Sequence, residues 1–355
     1  MSEFNKDVFD LLSKTKREVI PLYCTGYPEY NFIKNYCKEY NLQENVNDFL
    51  LKEKNYSIIK RIGFDAISIW DFRRGSGGFN INEGRYVDGW GRIYKNNWYS
   101  WDGIFKNEAI VDSWEHLKLP SHEDLNLLKS AVDNFKKINL FPIFSLPGLF
   151  EKTWQSMGLI FFAKCIRKNK FEFIEKVIHY FSNYLITLLK TLQKYRITTY
   201  LIADDMGYKN RAFISKSLWI KLFFNKYQEI LEIAHQSKKA ENKIILHSDG
   251  YISDLIDTLI ELGFDAIQSL EPDAGVDIFR LFEIYAKRII FIGNVSNTLL
   301  SYGKPVDVKN YIIKLLTSAH KYNAFLIVSP TQQIDSYVNV ENVKMMIETT
   351  KQFKI

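Results

Sequence analysis

Eight short runs rich in β-branched, aliphatic and aromatic residues recur along the chain, and the stretches between them carry helical periodicity. The runs are Val19 to Cys24, Ala66 to Asp71, Phe141 to Leu146, Thr198 to Asp205, Lys243 to Ser248, Asp265 to Glu271, Arg288 to Asn294 and Ala324 to Ser329. Among the intervening segments, Ser253 to Leu262 and Val308 to Tyr322 place apolar residues at the spacing of a helix face. Strands alternating with helices pair in parallel, because each helix returns the chain to the same end of the sheet. Eight such units predict an α/β fold, a single (β/α)8 TIM barrel, where a doubly wound sheet would usually need fewer strands. A chain of 355 residues is long enough for that core.

The expected domain runs over 1–355, with an N-terminal helical extension at 1–18 and an elaborated excursion at 72–140 after the second strand. The excursion opens on Arg73-Arg74-Gly75-Ser76-Gly77-Gly78 and continues through an aromatic patch containing Tyr86, Trp90, Tyr94, Trp98 and Trp101. It reads as a glycine loop followed by a small hairpin. The loop lacks the lysine of a phosphate-binding loop, so a mobile lid is an equal reading. The aromatics either wall a flat ligand or form the hairpin's own mini-core. A long helical stretch, Phe150 to Tyr195, is expected to break near Lys168-Asn169.

Polar residues gather at the carboxyl ends of the runs: Tyr23-Cys24, Trp70-Asp71, Ser145, Asp204-Asp205, His247-Ser248-Asp249, Glu271, Asn294 and Ser329. A barrel builds its active site there, from the ends of several strands. The fifth run is the most pointed case, since Ile244-Ile245-Leu246 passes directly into His247-Ser248-Asp249-Gly250. His247 and Asp249 lie two apart, so an extended backbone sends both to one side, as in a couple whose carboxylate orients the imidazole. Asp249-Gly250 is equally a standard turn pair. Asp204 and Asp205 are adjacent and point to opposite faces; one enters the mouth and the other is free to cap the next helix. Glu271-Pro272 ends the sixth strand, because proline cannot continue a central ladder. The candidate catalytic residues are therefore His247, Asp249 and Glu271, which also form a hard-donor metal set. Tyr23, Asp71, Ser145, Asp204, Asn294 and Gln332 are the candidate binding residues.

Composition excludes several alternatives. A net charge of +6 with bases and acids mixed along the chain makes a solvated surface, not a nucleic-acid stripe. Cys24, Cys37 and Cys165 show no metal-ligand spacing and read as reduced thiols. No apolar run approaches the ~20 residues of a membrane span or a signal peptide's core, and a cytoplasmic location is expected.

The ordered set Asp204-Asp205-Met206-Gly207, Phe213-Ile214-Ser215, His247-Ser248-Asp249-Gly250, Glu261-Leu262-Gly263-Phe264-Asp265, Leu270-Glu271-Pro272 and Ile292-Gly293-Asn294 resembles the uroporphyrinogen decarboxylase superfamily. The resemblance runs from about Pro21 to Ile347 and is densest after Asp204. It implies a (β/α)8 barrel and either of two activities. The superfamily's decarboxylases carry paired arginines after the first strand, but Pro21 to Tyr30 contains none, although Asp71 matches the aspartate that binds pyrrole N–H groups. The histidine after the last strand is also missing, Ser329-Pro330-Thr331-Gln332-Gln333 standing there. The cobalamin-linked methyltransferases, some of which act on coenzyme M, bind zinc through His-x-Cys after strand five and a cysteine after strand eight. This chain keeps His247 but has Asp249 at the first cysteine position and no cysteine at the second. The implied function is methyl transfer between a corrinoid protein and a small acceptor. In it Asp71, Asp204 and Asn294 orient the acceptor, and His247 with Asp249 or Glu271 deprotonates it or holds a divalent metal. A methylcorrinoid would arrive on a partner protein. Decarboxylation of uroporphyrinogen or a related tetrapyrrole is the first alternative, and a non-catalytic corrinoid- or tetrapyrrole-binding protein the second. The superfamily implies a monomer or homodimer.

Overall fold

A computed structural model describes residues 21–42, 50–51, 54–69, 77–82, 84–96, 98–195, 197–236 and 242–354. Eight strands form one sheet: β1 (Tyr23–Cys24), β2 (Ala66–Ile69), β3 (Phe141–Pro147), β4 (Thr199–Ala203), β5 (Lys243–Ser248), β6 (Ala266–Ser269), β7 (Ile290–Val295) and β8 (Phe325–Pro330). They lie in sequence order, each parallel to its neighbour, and a bridge from Leu22 to Val328 joins the first edge to the last. The eight runs read from the sequence are these strands, with ends shifted by a few residues. The N-terminal extension at 1–18 and the residues Asp71 and Arg73 to Ser76 lie outside the described residues.

The period-two alternation of each strand separates two cores. Tyr23, Ala66, Phe141, Ile143, Leu201, Ala203, Ile245, Ala266, Ile290, Ile292, Phe325 and Ile327 fill the barrel interior. Their neighbours, such as Ile244, Leu246, Ile267 and Phe291, turn outward and pack beneath the helices. On β5 to β8 the interior positions just above that layer are His247, Gln268, Asn294 and Ser329, all buried. The barrel therefore changes from apolar to polar along its own axis.

Helix boundaries follow local chemistry. Ser215, Ser296 and Asn339 cap the helices Lys216–His235, Asn297–Tyr302 and Val340–Gln352 through their side chains. Pro305 opens the helix Pro305–Tyr322, and Asn323 ends it in the left-handed region at φ 56°. The segment from Phe150 to Tyr195 does break at Lys168-Asn169, but a second break at Gly158 divides it further into Leu149–Met157, Leu159–Arg167 and Phe171–Leu192. Gly158 has φ +80°, and a Cβ there would stand 2.5 Å from Asp102 Oδ1.

The excursion after β2 is larger than a hairpin. Gly78–Asn82, Arg85–Asp88, Arg92–Lys95 and Trp98–Gly103 form a four-stranded antiparallel sheet, followed by the helices Glu108–Asp112 and His122–Lys137. Its aromatics divide by burial. Trp90 is sealed against Phe181 and Tyr184 of the helix Phe171–Leu192, and so joins the main core instead of a mini-core of the hairpin's own. Trp101 is half exposed and stacks on Trp154, whose other face meets Phe213 beyond β4. Cys24, Cys37 and Cys165 are buried. No described helix is long and apolar enough to cross a membrane.

Candidate functional site

The polar end of β5 brings His247 into the mouth. Its Nε2 lies 3.7 Å from Asp249 Oδ1 and 3.8 Å from Asp205 Oδ1. One ligand atom from each of Asp205, His247 and Asp249 falls within 4.8 Å of the others, the one such cluster among the described residues. Hydrogen bonds hold both carboxylates in place. The Asp249 N–H donates to Asp205 Oδ1 at 2.9 Å, and the Ser269 hydroxyl donates to Asp249 Oδ1 at 3.0 Å. Ser269 (φ 90°) and Leu270 (φ 57°) are both in the left-handed half of backbone space. That conformation is costly for non-glycine residues and characteristic of sites that must aim a side chain. After Asp249 the chain bends at Gly250, which has φ +80° and packs against Gly207.

Two negative groups beside one imidazole leave the site short of positive charge. Burial pushes the Asp249 carboxyl up to about 7; His247 pulls it down, while Asp205 and Glu271 push it further up.

Glu271 does not join the trio. Its Oε2 accepts from the Gly250 N–H at 2.6 Å and its Oε1 from Gln332 Nε2 at 2.7 Å. The clustered set is thus Asp205, His247 and Asp249, in place of the expected His247, Asp249 and Glu271. The two left-handed residues before Glu271 redirect the chain, so that its carboxylate caps the Gly250 turn.

Asp204 sits away from the mouth. It is fully buried and caps the helix Leu149–Met157, accepting from Phe150 N at 3.1 Å and Glu151 N at 2.6 Å, and from the Tyr227 hydroxyl. The helix it caps follows β3, not β4. Gly148 makes the approach possible, since a Cβ there would fall 2.1 Å from Asp204 Cβ. Burial pushes the Asp204 carboxyl up to about 7, against the pull of Tyr227 and the backbone donors. A substrate-orienting role for Asp204 has no geometric basis.

The other expected binding residues are dispersed. Tyr23 belongs to the apolar barrel interior, and Ser145 is fully buried on β3. Asn294 donates to Leu270 O at 3.2 Å and accepts from Tyr311 at 2.8 Å, which ties its amide to protein groups. Gln332 is exposed at the rim on Glu271. Asp71 lies outside the described residues.

Sequence reading passed over Gln268, whose Oε1 hydrogen-bonds His247 Nδ1 and whose Nε2 reaches Thr25 Oγ1 at 3.1 Å and Thr331 O at 3.2 Å. Its signal was a polar residue at an inward position of β6, two after Ala266. Asp205 carried a weaker signal, being one of two adjacent aspartates of which only one faces the mouth.

Comparison with known proteins places this geometry in context. No curated protein matches the sequence. Among solved structures, a methyltransferase from Methanosarcina mazei superposes with a TM-score of 0.69 at 13% identity, covering 99% of this chain and 98% of that one. A protein from Listeria monocytogenes described as a vitamin-B12-independent methionine synthase superposes more loosely, with a TM-score of 0.48 at 13% identity over 94% and 98% of the two chains. The first likeness establishes the barrel fold. The sequence profile of uroporphyrinogen decarboxylase (URO-D) matches residues 155–353, more than half of the chain and inclusive of every residue of the trio. The chain is a member of the uroporphyrinogen decarboxylase family.

Proposed function

We propose that this family member is a methyltransferase that moves a methyl group between a corrinoid protein and a small acceptor, using a divalent metal held by Asp205, His247 and Asp249. The observation that carries the reading is the convergence of these three ligand atoms within 4.8 Å at the carboxyl end of the barrel. The donor chemistry fits the ion, because one imidazole nitrogen and two carboxylates suit Zn2+, Mn2+ or Fe2+. The raised carboxyl of Asp249 fits it too, since a cation would relieve the repulsion among Asp205, Asp249 and Glu271. When bound, such an ion supplies Lewis acidity that lowers the pKa of an acceptor's S–H or O–H group.

The chain's own residues have separate tasks. His247 presents Nε2 to the mouth between two carboxylates, where it binds the ion or accepts the acceptor's proton. The Ser269 hydroxyl orients the Asp249 carboxylate, and the Asp249 backbone N–H orients that of Asp205. Glu271 and Gln332 form a rim contact from the end of β6 to the segment after β8. The thiolate ligands that the resemblance implies for zinc-dependent relatives are replaced here by carboxylate, so the acceptor is activated at a harder site.

The test uses the full chain, stripped with chelator and reloaded with Zn2+ or Mn2+. Methylcobalamin serves as donor and coenzyme M as acceptor, and loss of the methyl–cobalt absorbance is followed. Metal-dependent demethylation is the expected result. Decarboxylation of uroporphyrinogen by the same preparation, or methylcobalamin binding with no turnover, would refute the proposal.

A further inference from the structure

We infer that Gln268 is a positioning residue which holds His247 in the Nδ1–H tautomer and thereby commits Nε2 to the mouth. The argument is one of hydrogen-bond polarity, and it begins at groups whose polarity has no choice. The backbone carbonyl of Thr331 can only accept, and it lies 3.2 Å from one terminal atom of the Gln268 amide. That atom must therefore be the NH2 group. The same end contacts Thr25 Oγ1 at 3.1 Å. Thr25 in turn points its hydroxyl at a second obligate acceptor, the Pro330 carbonyl, at 3.1 Å, so its oxygen is left to accept from Gln268. Both contacts of Nε2 agree.

With the amide oriented, its oxygen faces His247 Nδ1. An amide oxygen only accepts, so Nδ1 must carry the hydrogen. In the neutral ring Nε2 then bears the lone pair, and Nε2 is the nitrogen nearest Asp205 and Asp249. Gln268 and Thr25 are buried to 0% and 1% exposure and Thr331 to 3%, so water does not compete for these bonds. The reach of the network is notable, since it joins the segment after β1, the interior face of β6 and the segment after β8 to a histidine on β5. A second partner that sets the tautomer of a working imidazole is a general requirement of metal and acid–base sites. Here an amide takes that part.

The functional half of this inference rests on the proposed use of His247, whereas the tautomer does not, and the experiment separates them. Chelator-treated protein labelled with 15N at histidine is examined by long-range 1H–15N correlation in alkaline buffer, with His247→Gln used to assign the signal. The expected wild-type pattern has Nδ1 protonated and Nε2 bare. In Gln268→Met the pattern should shift to a mixture. Zn2+ affinity measured by calorimetry should fall about tenfold in Gln268→Met. A wild-type ring protonated at Nε2 would overturn the inference even if the variant does not fold, and an unchanged tautomer in folded Gln268→Met would overturn the part given to Gln268. An Nδ1–H tautomer that requires Gln268, in a protein that binds no metal, would uphold the inference while removing the metal from the proposed function.

Discussion

Replacing Asp204 separates structural from substrate roles at the end of β4. The carboxylate is fully buried and receives three donors: the backbone N–H groups of Phe150 and Glu151 and the hydroxyl of Tyr227. Alanine would remove all three bonds at once and leave the Phe150 N–H and the Tyr227 hydroxyl without their acceptor in a buried setting. Losing a helix cap costs about 0.5–2 kcal/mol, and each buried donor left unpaired about 1–3 kcal/mol. These terms overlap, so Asp204→Ala should lower unfolding stability by about 3–5 kcal/mol. Asparagine keeps one acceptor oxygen and should lose about half as much. The sign of the pH effect follows from burial, which pushes the carboxyl up to about 7 from an ordinary 3.8. A raised carboxyl favours its neutral form in the folded state. Its stabilisation is thus complete below about pH 4 and is lost as the pH rises through about 7. Urea denaturation at a series of pH values reads both quantities, and Asp204→Asn should flatten the slope in that window. Folded Asp204→Ala with stability within about 0.5 kcal/mol of wild type, but with no turnover, would refute the argument and return Asp204 to the mouth.

Three further outcomes are expected. For the metal, Asp205→Asn should weaken Zn2+ binding by at least about 100-fold, because even residues behind metal ligands cost 10–100-fold, whereas Glu271→Gln should bind nearly as wild type; the reverse order in calorimetry would restore Glu271 as the ligand. Wild-type affinity should also fall as the pH drops through about 7, where a proton competes at Asp249. At Gly158, alanine meets both φ +80° and Asp102 Oδ1 at 2.5 Å, so Gly158→Ala should destabilise by about 2–4 kcal/mol in thermal or urea unfolding.

Much of the fold was legible because a barrel repeats one local pattern. The inward–outward alternation in Lys243–Ser248 and Ile290–Val295 is a property of a few consecutive residues, and the break at Lys168-Asn169 shows in composition alone. The antiparallel sheet at Gly78–Gly103 was under-read as a hairpin for the opposite reason. Its strand Gly78–Asn82 is exposed throughout, so no buried face imposes alternation on the sequence. Trp90 and Trp101 look alike in the sequence, and their burial differs only because the helix Phe171–Leu192 covers the first.

The sequence by itself determined that eight parallel strands would form and that polar groups would collect at one end, since both follow from periodicity within each unit. It determined the candidacy of His247 and Asp249 in the same way, through their separation of two. The choice of partners belonged to the tertiary structure. Whether Asp205 or Glu271 meets His247 depends on how the backbone leaves β4 and β6, and the left-handed turn at Ser269-Leu270 sends Glu271 to the Gly250 amide instead. Asp204 and Asp205 differ by one position, yet one is a buried helix cap and the other faces the imidazole, because adjacent side chains point to opposite sides of the chain. Gln268 gained its part only when three distant segments closed around it. Local alternation names the face a residue occupies, and only closure of the barrel names what stands opposite.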